Sequence, residues 1–118
     1  MIKVYGIKNC GSVKKALALL NAKNIHYEFI DFKTTAPSKT QIAQWADMAG
    51  IEIVLNTKGQ TYKKLALKDK NLNSTQKIEA MQEFPNLIKR PVIEIIQAGK
   101  IENLIVGFNE DTIASIKQ

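Results

Sequence analysis

Ile2-Lys3-Val4-Tyr5-Gly6 alternates apolar and polar positions, the period of a short strand. Lys8-Asn9-Cys10-Gly11-Ser12 breaks that pattern, and the next apolar residues fall at Val13, Ala16, Leu17 and Leu20. The i, i+3, i+4, i+7 spacing is one face of a helix, which gives out near Asn21 to Asn24. His26-Tyr27-Glu28-Phe29-Ile30-Asp31-Phe32 then reads as a second strand. Strand, helix and strand within about thirty residues make a βαβ unit, and its right-handed crossover sets the two strands parallel.

Beyond this unit, Pro37-Ser38-Lys39-Thr40-Gln41 opens a second helix, with Ser38 as N-cap and Gln41 three residues on as a capping box. Ile42, Trp45, Ala46 and Ala49 form its apolar face, and Gly50 ends it. The apolar stretch Ile51 to Leu55 leads into the turn Asn56-Thr57-Lys58-Gly59. Thr61 to Leu67 reads as a short helix with Tyr62, Leu65 and Ala66 inward. Asn73 or Ser74 caps a further helix carrying Ile78 and Met81, which must end near Phe84-Pro85. Val92 to Ile96 and Ile101 to Val106 are strands joined by a turn short enough for an antiparallel hairpin. Asn109 caps a last helix with Ile113 and Ile116 inward. The expectation is an α/β, thioredoxin-like fold. It has a four-stranded mixed sheet in the order β-α-β … β-β-α, in one domain over 1–118, with a helical insertion at about 38–84.

Composition narrows the function classes. The chain has 118 residues, 45% of them hydrophobic and 24% charged, close to the averages for globular proteins. Its apolar runs are only a few residues long, whereas a membrane-spanning helix needs roughly 20, so no membrane partner is expected. The start lacks the basic and apolar regions of a signal peptide. The single cysteine forms no internal disulfide, which suits a reducing, cytoplasmic location. One Cys and one His do not fill a structural zinc site, so no metal is expected. The net charge of +6 invites a nucleic-acid reading, but Arg90 is the only arginine among seventeen basic residues. Lysines spread from Lys3 to Lys117 read as a solvated surface, and no specific nucleic-acid partner is expected.

Cys10 is the residue with chemistry. A lone cysteine is commonly a small buried hydrophobe, but the neighbours Lys8, Asn9, Gly11 and Ser12 are polar or small. At a helix N-terminus, unpaired N–H groups and the helix dipole favour a thiolate. Lys8, Lys14 and Lys15 are placed to add positive potential, and Gly11 admits an incoming group. The Ser12 hydroxyl is placed to donate to sulfur or to cap the helix. The same geometry binds anions. Val13 stands three residues after Cys10, so no CxxC disulfide closes, and an external thiol must resolve any mixed disulfide. His26 begins the second strand, far from this loop, and reads as structural. Arg90, immediately before Pro91 at a loop-to-strand junction, would in most chains be an ordinary solvent-facing residue. Here it is the chain's only arginine, which sets it apart.

Four motifs together resemble the arsenate reductase/Spx family, and its YffB-like subgroup in particular. They are Tyr5-Gly6-Ile7-Lys8-Asn9-Cys10, Leu55-Asn56-Thr57-Lys58-Gly59-Gln60-Thr61-Tyr62 with Lys64-Leu65, Ile88-Lys89-Arg90-Pro91, and Val106-Gly107-Phe108. The resemblance runs nearly end to end. It implies that Cys10 is the nucleophile, that Arg90 binds an anionic substrate, and that Pro91 is a cis-proline beside the site. Glutaredoxin-coupled arsenate reductases of the family use three anion-binding arginines. Arg90 retains one, while Asn56 and Gly107 occupy the other two positions, with Lys58 as a compensating charge. Loss of bidentate contacts weakens oxyanion binding. The resemblance therefore implies a thiol reductase with no bound cofactor and with glutathione as co-substrate. Arg90, with Lys58 or Lys14, would hold a carboxylate of glutathione or of the substrate. The oxidant would be an oxidised thiol or a small anionic substrate, and glutathione or glutaredoxin the resolving partner. Weak arsenate reduction, and a non-catalytic Spx-like role bound to RNA polymerase, are the other two readings.

Overall fold

The alternation at Ile2–Gly6 places Ile2 and Val4 on one face of a strand and Lys3 and Tyr5 on the other. The computed structural model describes residues Met1 to Lys117, and in it this strand, β1, is central. Helix α1 (Gly11–Ala22) follows it and buries Val13, Ala16 and Leu20. Its end is a Schellman turn: Asn24 takes φ +58, and the amides of Ile25 and Asn24 donate to the carbonyls of Leu20 and Asn21. Strand β2 (Glu28–Asp31) runs parallel to β1. It is shorter than the His26–Phe32 read from sequence, because pairing to β1 begins only at Glu28 and the amide of Phe32 bonds to Gly6 beyond the strand.

β3 (Val92–Gln97) pairs antiparallel with β1, and β4 (Lys100–Val106) antiparallel with β3, giving the order β2-β1-β3-β4. Ala98 and Gly99, at φ +52 and +75, form the two-residue turn between them, as a tight hairpin requires. Helix α6 (Glu110–Ala114), capped by Asn109, closes one face of the sheet. Ile2, Val4, Ile93 and Ile105 from the strands meet Ala16, Leu20, Ile113 and Ile116 there in one core. On the opposite face Tyr5 stacks on Phe32 at 6.3 Å, and its hydroxyl donates to the buried Glu94 carboxylate at 3.0 Å. The arrangement is thioredoxin-like.

The chain divides into two compact units: Met1–Thr35 with the segment from Arg90 onward, and Ala36–Lys89. The second is helical. α2 (Lys39–Ala49) is capped by Ser38, whose Oγ accepts from the Gln41 amide at 3.1 Å, and it buries Ile42 and Trp45. Ile51 to Leu55 is not merely an apolar connection: Gly50, at φ +94, ends α2, and a single helical turn, α3 (Ile51–Val54), follows at once. Leu55 then bridges Ile88. The helix read at Thr61–Leu67 is α4 (Gln60–Lys64) and stops early. Ala66 adopts a left-handed φ of +54 that redirects the chain into a 3-10 turn, Leu67–Lys70. Leu67 is the residue buried there; Ala66, read as inward, is exposed. α5 (Ser74–Glu83) starts at a reciprocal capping box between Asn73 and Gln76 and buries Met81. No helix among the described residues is long and apolar enough to cross a membrane.

Candidate active site

A thiol acquires chemistry from what surrounds it, and here the surroundings begin with a glycine. A Cβ on Gly6, at the end of β1, would lie 2.6 Å from Val13 Cγ2. Only glycine lets the first turn of α1 press so closely on the strand, which sets the height of the loop between them. Cys10 occupies the N-cap of α1, with extended backbone (φ −96, ψ 125), and its carbonyl accepts from Lys14 at 2.9 Å. The sulfur is half-buried, and the amides of the first turn of α1 face it.

Opposing influences act on that sulfur. Burial is the largest and pushes the thiol up. The Val13 amide, a hydrogen bond from the Arg90 side chain, the Ser12 amide and the positive charge of Arg90 all favour the thiolate. Together they win, and the pKa lies below the ordinary thiol value. Ser12 contributes through its backbone amide, and Arg90 supplies the positive charge acting on the sulfur. Lys14 and Lys15 are exposed on α1, where Lys15 Nζ lies 5.9 Å from the Phe108 ring centroid.

The Arg90–Pro91 peptide bond is cis and leads into β3. Pro91 is buried, and its carbonyl accepts from the Gly107 amide at 2.8 Å, tying this corner to the end of β4. Gly107 is buried at φ +85, a conformation that costs any side-chain-bearing residue roughly 1–2 kcal/mol. An arginine is therefore disfavoured there by the backbone itself. Gly11 is exposed, and a Cβ on it would meet nothing within 4 Å, so space beside Cys10 is open.

The structure thus gathers Cys10, Ser12 and Arg90 in the sheet-bearing unit, with Gly11, Lys14 and Pro91 on the same elements. Asn56 and Lys58 belong to the helical unit. The Asn56 amide donates to Leu87 O at 2.7 Å, and its side chain lies against Gly59, while Lys58 is exposed at the tip of the turn. The Val13 amide was overlooked in the sequence, where Val13 reads only as the first apolar residue of α1. Its place, three after the cap, is the signal that would have found it. Among the described residues no three His, Cys, Asp or Glu side chains group as metal ligands.

A thioredoxin-like sheet in this strand order, with a lone cysteine at the start of its first helix, defines a class of thiol-bearing proteins. The chain belongs to the ArsC family, whose model matches residues 5–116. It is 38% identical over 111 residues to an uncharacterised protein of Haemophilus influenzae, covering 93% of each chain. It is 29% identical over 115 residues to global transcriptional regulator Spx 1 of Lactococcus lactis, covering 96% of this chain and 86% of that one. The solved structure of a YffB protein superposes with a TM-score of 0.88 at 33% identity, covering 98% of this chain and 97% of that one.

Proposed function

We propose that this protein is a single-cysteine thiol reductase that uses glutathione. The observation that supports the reading best is the convergence of the Val13 and Ser12 amides and the Arg90 guanidinium on Cys10 Sγ, which lowers the thiol pKa. In the first step the Cys10 thiolate attacks a glutathione mixed disulfide of the substrate. A Cys10–glutathione disulfide forms, and the substrate leaves as its thiolate and takes up a proton. In the second step the thiolate of a second glutathione attacks that disulfide, releasing oxidised glutathione and restoring the Cys10 thiolate. The net change converts one mixed disulfide and one reduced glutathione into one substrate thiol and one oxidised glutathione, so atoms and electrons balance. Arg90, with Lys14 of α1, holds a carboxylate of the tripeptide.

Mass spectrometry after incubation with oxidised glutathione tests this. The expected product is one glutathione adduct, confined to Cys10, absent in Cys10→Ser and released by reduced glutathione. An unmodified thiol after prolonged incubation would sink the reading. Similarity to a transcriptional regulator supports a second reading, a binding role toward RNA polymerase. Under that reading Cys10→Ser leaves polymerase binding intact, while under the first it abolishes turnover.

A further inference from the structure

The lysines read from the sequence as evenly dispersed are not dispersed in charge. Residues 58–77 hold six lysines against the single Asp69, a net of +5, while all other residues carry eleven basic and ten acidic groups. Nearly the whole excess charge of the chain therefore lies in 20 consecutive residues of the helical unit. These residues fold into α4, the 3-10 turn and the start of α5. None of the six lysines forms an ion pair with a described residue; the ion pair found among the described residues is Lys39–Glu79 at 3.4 Å. Concentrating like charges without partners raises self-repulsion, a cost that the fold itself does not recover.

A cleft of about 180 Å³ opens within this charged segment. Its apolar walls are Leu55, Leu67 and Leu72, and Lys68, Lys77 and Tyr62 stand around them. Leu55 and Leu67 are buried, whereas Lys68 is exposed. Small-molecule sites run to roughly 300–1,000 Å³, and a cavity of about 150 Å³ takes one benzene-sized group. The cleft therefore fits one side chain, not a cofactor or a stacked base with its sugar. We propose that residues 55–77 form a docking surface for an acidic polypeptide segment of a partner protein, with one apolar partner side chain seated between Leu55, Leu67 and Leu72. Lysine ammonium groups attract carboxylates as point charges without demanding planar geometry, which suits a mobile acidic segment. The absence of arginine from the surface, together with the size of the cleft, favours this partner over nucleic acid.

The test is amide chemical-shift titration of the full chain with a short peptide of glutamates flanking one central leucine. Shifts are expected to concentrate at residues 55–77 and affinity to fall about threefold or more between low and physiological salt. Replacing the central leucine by alanine should weaken binding several-fold. Lys68→Gln with Lys77→Gln should weaken it about ten-fold, while Lys33→Gln with Lys117→Gln, the same loss of charge elsewhere, should leave it unchanged. Amide spectra of both variants show whether the fold persists. Equal weakening by the two pairs, indifference to the leucine, or tighter binding of a single-stranded oligonucleotide at the same amides would each overturn the proposal.

Discussion

The sheet-bearing unit and the helical unit are held together by different means. In the first, β1 pairs with β3 across most of the chain, Ile2 opposite Ile95, and the buried Tyr5–Glu94 hydrogen bond spans 89 residues. In the second, order comes from short helices ended by special backbone at Gly50, Ala66 and Asn71 and started by caps at Ser38 and Asn73. The first unit carries the thiol and the only arginine; the second carries the surplus lysines. A reactive group held to a narrow geometry sits at a helix N-cap in the unit built on paired strands, while the region richest in unpartnered charge is built from short helices and turns.

The sharpest test of that contrast is Trp45→Ala. Trp45 is fully buried in the helical unit, and its loss should cost about 3–5 kcal/mol in urea unfolding. Amide exchange should accelerate across residues 39–88 before it does in β1 and β3; equal acceleration would merge the two units into one cooperative block. Next in size is Gly6→Ala, which forces a Cβ against Val13 and should cost about 1–3 kcal/mol. Pairing it with Val13→Ala should cost less than the two separate losses combined, and strict additivity would remove the close approach as the cause.

Arg90→Lys keeps the charge but loses the planar grip. Its reaction with oxidised glutathione should slow about ten-fold, or about 1.4 kcal/mol, with melting temperature nearly unchanged. Reaction with a small neutral alkylating reagent should largely persist; equal slowing with both would mean that Arg90 tunes the thiol instead of holding the substrate. The pH dependence follows in sign. Folding lowers the Cys10 pKa, so the thiolate stabilises the folded state fully above the unfolded value of about 8.5 and progressively less as pH falls through the folded value. Melting of wild type against Cys10→Ser across this range should show the gap opening on the alkaline side. The smallest effect expected is that of Asn73→Ala, which removes one half of the capping box and should cost about 1 kcal/mol, read as lost helicity of α5.

The βαβ unit was legible because the residue period changes from two at Ile2–Gly6 to about 3.6 at Val13–Leu20, and each period buries one face. Cys10 was legible through its polar neighbours and Arg90 through its uniqueness. The helical unit was harder to read, because its decisive positions run against local preference. Ala66 is a strong helix former, yet it turns left-handed so that Leu67 is buried, a tertiary demand that no window of neighbouring residues contains. Gly6 reads as the end of a strand, and its closeness to Val13 exists only once α1 has folded back. The charge segregation needed no structure at all, only counting by segment instead of by chain.

The Cys10–Arg90 neighbourhood has a practical side. Each is the only residue of its kind among 118, and their side chains meet. A thiol-selective alkylating reagent and a dicarbonyl reagent selective for guanidinium therefore each have a single target in the chain. A fluorophore installed by either route would label every molecule identically, without any engineered cysteine. Protection of one label by the other, or by a bound anion, would then read out occupancy of this corner directly in a mixture.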